Sequence, residues 1–147
     1  MATRRAAVIS ALVSTLCGLG ALLLPLAFAD DRAEASRWLK FLGGLHPLIL
    51  HVPIGVIVAI AAFELWSLAT KAGDARLRRW LWLIAALTAS VSFGTGLLLG
   101  AEGGRDRAEL IPHLWFGASF TALCWLSLAL LLVFNNRILG CVTVIVA

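Results

Sequence analysis

Long apolar stretches alternate with short charged connections along the whole chain. Four stretches approach or exceed the ~20 residues that a helix needs to cross ~30 Å of hydrocarbon. They run from about Ala6 to Ala29, Leu45 to Leu68, Trp80 to Gly100 and His113 to Phe134. Each therefore reads as a membrane-crossing helix, and an all-α fold is predicted: an integral membrane bundle of about four transmembrane helices. A fifth apolar run, residues 138–147, has only ten residues. At 1.5 Å per residue it climbs roughly 15 Å, half a membrane, so it is expected as a C-terminal half-helix whose span further residues would complete.

Composition agrees with lipid as the main solvent. Hydrophobic residues make up 61% of the 147 positions and charged residues 14%, with a mean hydropathy of +0.97. A soluble domain carries about 25% charged residues to meet water. The length suits one domain. Two readings of residues 1–29 stay open at this point. Arg4 and Arg5 before an apolar core, with Ala27-Phe28-Ala29 ahead of Asp30, resemble a cleavable signal peptide; the core length instead suits a first transmembrane helix.

The charges decide orientation. With the N-terminus inside, seven Lys and Arg lie in inner segments (Arg4, Arg5, Lys71, Arg76, Arg78, Arg79, Arg137) against five in outer loops (Arg32, Arg37, Lys40, Arg105, Arg107). The excess favours a bacterial inner membrane protein with the Lys71–Arg79 loop in the cytoplasm. The net charge of +4 therefore reads as topology and contact with membrane lipid, not nucleic-acid binding. Trp38 and Trp115 fall at the outer ends, and Trp66, Trp80 and Trp82 at the inner ends, as aromatic belts would have them.

All three histidines fall on the outer, periplasmic side. His46-Pro47 reads as a helix start, since proline at the first helical position needs no donor partner; His46 is then expected to act as a cap. His51 lies five residues on, ~7.5 Å deeper and about 140° around the helix. Pro53 cannot donate to the Ile49 carbonyl, and Gly55 adds room, so a pocket is expected beside His51. Pro112-His113 repeats the arrangement at the fourth stretch. His51 and His113 are thus the expected pair. In the third stretch, Ser90-x-x-x-Gly94 and Gly96-x-x-x-Gly100 have the spacing of close helix contacts, and bare Gly94 and Gly96 backbone can also wall a flat cofactor.

The remaining candidates are weaker. Glu64 is expected to snorkel toward the nearby arginines. Cys17, Cys124 and Cys141 each sit in an apolar run and read as buried thiols, with neither C-x-x-C nor C-x-x-C-H spacing. No phosphate-binding G-x-x-x-x-G-K-[ST] motif and no catalytic constellation occurs.

The run Leu45-His46-Pro47-Leu48-Ile49-Leu50-His51-Val52-Pro53-Ile54-Gly55 resembles the L-H-P-x-x-x-H-x-P-I signature of the bacterial membrane family called domain of unknown function 2231. Gly96-Leu97-Leu98, Asp106, Leu110 and His113-Leu114-Trp115-Phe116-Gly117 are similar to a later segment of that family, extending the likeness over residues 41–134. The resemblance implies a bundle of about four helices, often attached to periplasmic cytochrome c domains, and through them a cytochrome c-type redox partner or other membrane subunits.

Two functions follow as expectations. In the first, the chain is a b-type haem module for electron transfer, with His51 and His113 as axial ligands and His46, Gly94 and Gly96 around them. Arg37, Lys40, Arg105 and Arg107 would then face the propionates. In the second, the chain is a non-catalytic membrane anchor or assembly subunit whose histidines finish helix ends. A three-histidine metal site is a third arrangement. The orientation has a direct test in a variant without native cysteines. A cysteine at Ala75 is expected to resist a membrane-impermeant thiol reagent in intact cells, and one at Gly104 to react. The opposite labelling would invert the topology.

Overall fold

In lipid, helices gain nothing from burying leucine against leucine, because the acyl chains are equally apolar; close backbone approach and polar contacts hold them together instead. The computed structural model describes residues 2–28, 36–101 and 107–134. Five helices account for nearly all of them: α1 (Ala2–Phe28), α2 (Arg37–Gly44), α3 (His46–Thr70), α4 (Ala75–Ala101) and α5 (Arg107–Phe134). Within them, Arg4–Leu26, His46–Thr70, Ala75–Ala101 and Ala108–Phe134 are long and apolar enough to cross a membrane. The expected all-α membrane bundle of four spans is observed. The run 138–147, Cys141, the Ala27–Ala29 side chains and, of the outer-loop cations, Arg32 and Arg105 lie outside the described residues, as does the side chain of Arg107.

The four long helices stand in a row, α3–α4–α5–α1. Helix α4 packs against both α3 and α5, whereas α3 and α5 make at most marginal contact. Helix α1 lies along α5 and only grazes α4. The seams are built from small residues. On α1 the buried positions are Ala11, Ser14, Gly18, Ala21 and Pro25, a 3-4-3-4 spacing that keeps one narrow stripe facing its neighbour. A Cβ on Gly18 would lie 3.2 Å from the Ala122 carbonyl oxygen, so α1 and α5 meet backbone to backbone. On α4 the equivalent face is Ala85, Ala86, Ala89, Ser92 and Gly96, all buried. Beyond these seams the outer surface is large and apolar, with Leu16, Leu65 and Phe116 more than 65% exposed, a surface suited to contact with membrane lipid.

Several expectations are corrected. Trp82 is no belt residue; it is fully buried, packed in a core with Ile60, Cys124 and Leu131, because it lies on the inward face of α4. Trp66 and Trp80 do face outward. Cys17 is exposed, since it falls off the small-residue stripe of α1, while Cys124 is buried. Helix α2 was not anticipated. Its Gly43 rests on the backbone of Leu98 and Leu99, where a Cβ would come within 2.9 Å of the Leu99 nitrogen. Trp38 and Phe41 point outward from it, as on a helix lying at a membrane interface.

Glu64 reaches arginine, but inside the bundle rather than at water. Its carboxylate accepts hydrogen bonds from Nε and Nη2 of Arg78, the latter at 2.9 Å, and both side chains are 4% exposed. The guanidinium also sits 5.7 Å from the centre of the Phe63 ring. Gly73 closes the α3–α4 turn over this pair, and the turn begins with Lys71 in the left-handed region at φ 56°. Leaving one buried charge without its partner costs about 3–5 kcal/mol, whereas removing both can be neutral. Glu64→Leu is therefore expected to lower stability by about that amount in detergent unfolding. Glu64→Leu with Arg78→Leu is expected to recover most of it. A single variant as stable as the parent would show that the pair does not hold the seam.

Candidate functional site

The 3.6-residue turn sorts the three histidines. Helix α3 faces α4 through His46, Leu50, Pro53, Ile57, Ile60, Glu64 and Ser67, an alternating 4-3 spacing. His46 begins this stripe. His51 lies about 140° around from it and leaves the seam. It is exposed, and its Nδ1 donates to the Pro47 carbonyl at 2.7 Å, one turn back along its own helix. Helix α3 runs unbroken past Pro53, which is itself buried on the α4 side.

His46 does start the helix, with Leu45 at the N-cap and Pro47 in the first turn, as the sequence suggests. Its ring, however, does not cap. It crosses to α4, where Nδ1 lies 2.9 Å from the Ser92 carbonyl oxygen and 3.3 Å from Thr95 Oγ1. A carbonyl only accepts, so Nδ1 carries the proton and the ring lone pair of the neutral imidazole is on Nε2. Thr95 Oγ1 donates to the same Ser92 carbonyl at 2.8 Å, which leaves its oxygen able to accept from His46. Metal-binding histidines are commonly held this way, the non-ligating N–H on a backbone carbonyl.

His113 comes to the same place from α5. That helix begins at Arg107 rather than at the histidine, so Pro112 and His113 lie inside it, more than one turn from its start. The His46 and His113 ring centres are 5.9 Å apart with the planes perpendicular at 88°. The pair brought together is therefore His46 and His113, not His51 and His113. Both line a cavity of about 270 Å3 in the groove between α3 and α5, floored by α4. Its walls are mostly apolar, with Phe93, Phe116 and Phe120 prominent.

The glycines have a different use from the one expected. Gly96 makes room for the imidazole: a Cβ there would stand 2.9 Å from His46 Cε1. Gly117 receives the Phe93 ring in the same manner, at 3.0 Å. Gly94 has open space beside it and does not line the cavity. Ser90 is engaged elsewhere, accepting from Trp125 Nε1 at 2.9 Å. Sequence reading missed Ser92 and Thr95, whose only signal is a pair of small hydroxyl residues one turn apart, just before Gly96. Arg37 and Lys40 are exposed on α2, at the same end of the bundle as the histidines.

At 5.9 Å and 88° the two imidazoles make a direct edge-to-face contact, and Nε2 of His46 is buried against the Gly96 side of α4. The cavity is slightly below the ~300–1,000 Å3 of small-molecule pockets and is open on one side. A site with three protein ligands is not formed: among the described residues no three His, Cys, Asp or Glu side chains cluster.

Comparison of the chain with family models, with curated proteins and with solved structures finds no match. The contact of His46 with Gly96 can be probed directly. Gly96→Val is expected to push the imidazole off its carbonyl and cost about 1–3 kcal/mol, as overpacking does. Gly94→Val, facing open space, should stay within about 0.5 kcal/mol of the parent. Thermal unfolding in detergent would read both; equal losses would deny Gly96 its special role.

Proposed function

We propose that this multi-pass membrane protein is a b-type haem module for electron transfer, in which His46 and His113 would hold the haem iron. One observation carries the reading: two histidines from helices that scarcely touch each other meet across a mostly apolar groove, one of them oriented by a backbone carbonyl. Histidine is costly in a membrane span and is found there chiefly where it has work to do. Haem, when bound, supplies a reversible one-electron couple.

The residues of the chain would do the rest. Ser92 and Thr95 hold the His46 ring in one tautomer and one direction. Phe93, Phe116 and Phe120 keep water from the groove, and burial of that kind tunes a haem's potential. Arg37 and Lys40 offer positive charge at the same end for carboxylates or for a cytochrome c-type partner. The likeness of the His46–Gly55 run to domain of unknown function 2231 is compatible with this role, as is an inner-membrane orientation with the histidine end toward the periplasm.

Absorption spectroscopy of protein purified from a haem-replete host tests the proposal. The parent is expected to show a low-spin Soret band. His46→Ala and His113→Ala should each lose most of it, and His51→Ala should keep it. Loss on His51→Ala with retention on His46→Ala would overturn the ligand assignment. A parent protein without any haem absorbance would leave a helical anchor as the function.

A further inference from the structure

Helix α2 sits at the end of a span. It stops at Gly44, and Leu45 alone separates it from α3, serving as C-cap of the one helix and N-cap of the other. Pro47 has no N–H with which to continue the ladder, so the chain breaks at this point. Helix α3 is long enough to cross a membrane, which puts α2 where hydrocarbon gives way to headgroups.

At roughly 100° per residue the positions of α2 fall into four sectors. Gly43 faces α4 and rests on its backbone. Opposite it stand Trp38 and Phe41, 77% and 58% exposed, with their rings edge to face and 6.5 Å between centres. Leu39 and Leu42 occupy one flank between these sectors, and Arg37 and Lys40 the other, all four exposed. Neither cation meets a carboxylate among the described residues. With Gly43 held sideways against α4, the leucine flank and the cationic flank face opposite ways, with the aromatic rings at the level between. Leucine, aromatic ring and cation is the order met on passing from acyl chains through the interface to phosphate.

We propose that α2 lies in the plane of the membrane surface and gathers anionic phospholipid there, with Leu39 and Leu42 among the acyl chains and Arg37 and Lys40 against the headgroup phosphates. An acidic protein surface would use the cations and leave both leucines in water, so the pairing of the two flanks favours lipid. The surface is separate from the histidine groove and does not depend on what that groove binds.

Two measurements on the full chain in nanodiscs of mixed phosphatidylglycerol and phosphatidylcholine test it, in a background without native cysteines. The first is depth. A nitroxide at Leu42→Cys should be relaxed by oxygen dissolved in the bilayer, and one at Gly44→Cys, on the cationic flank with open space beside it, by a water-soluble nickel chelate. The second is lipid choice. A fluorophore at Leu42→Cys is quenched by a nitroxide carried on the acyl chain of one lipid or the other. Phosphatidylglycerol should be enriched beside it about five-fold, on the order of the attraction of one cation for an anionic surface. Arg37→Gln with Lys40→Gln, both at exposed positions, should bring the two lipids level. Equal quenching by both lipids in the parent would overturn the proposal, as would a preference that survives the double substitution. Nickel access at both labels would also overturn it, because α2 would then stand clear of the bilayer as a face for a protein partner.

Discussion

The histidine groove depends on how closely α4 lets α3 and α5 approach. Leucine faces in a bilayer have no reason to prefer each other over lipid, so contact distance has to supply the attraction. The Ala85, Ala86, Ala89, Ser92 and Gly96 face of α4 lies in the seams with α3 and α5. Because α3 and α5 both lie against α4 rather than against each other, the groove between them is a direct product of that packing. The histidine pair, the aromatic walls and the open side all follow from α4 standing between α3 and α5.

Polar contacts then fix what small residues leave free to slide. The α3–α4 seam is pinned near its two ends, by His46 on the Ser92 carbonyl and by Glu64 on Arg78. Both α3 residues belong to the same stripe, eighteen positions apart, or about 27 Å along the axis. Two such pins set the height and rotation of α3 at once, which no arrangement of leucines would do in lipid. Buried ionic groups are often neutral for stability, and fixing register is their best-attested use. Here the same register carries His46 to His113.

Much of the architecture was legible from sequence, and the misses share a cause. The four spans and the helix start at His46 follow from apolar length and from proline at the first turn, both local properties. Which face of a span is buried does not, because in lipid the exposed side is as apolar as the packed side. Trp82 therefore reads from sequence as an interface residue and is core; Cys17 reads as interior and faces out. His51, next to Pro53 and Gly55, looked like the pocket residue for the same reason. A better signal was available: the 3-4 spacing of small and polar residues, with His46, Pro53, Ile60 and Ser67 at seven-residue intervals. Helix α2 was missed because eight residues, RWLKFLGG, are too short to register as a span and too mixed to register as apolar.

The seating of α1 bears on the order of assembly. Its partner is α5, the last of the four spans to be synthesised, and it has little contact with α4 and less with α3. Helices α3, α4 and α5 can pair as each emerges, two hairpins sharing a middle member. The first of these four spans to be made must instead wait in lipid, its Ala11, Ser14, Gly18 and Ala21 stripe unmatched, until α5 arrives. Helix α1 is then the last of the four to find its place, and the row is completed by its two most distant helices.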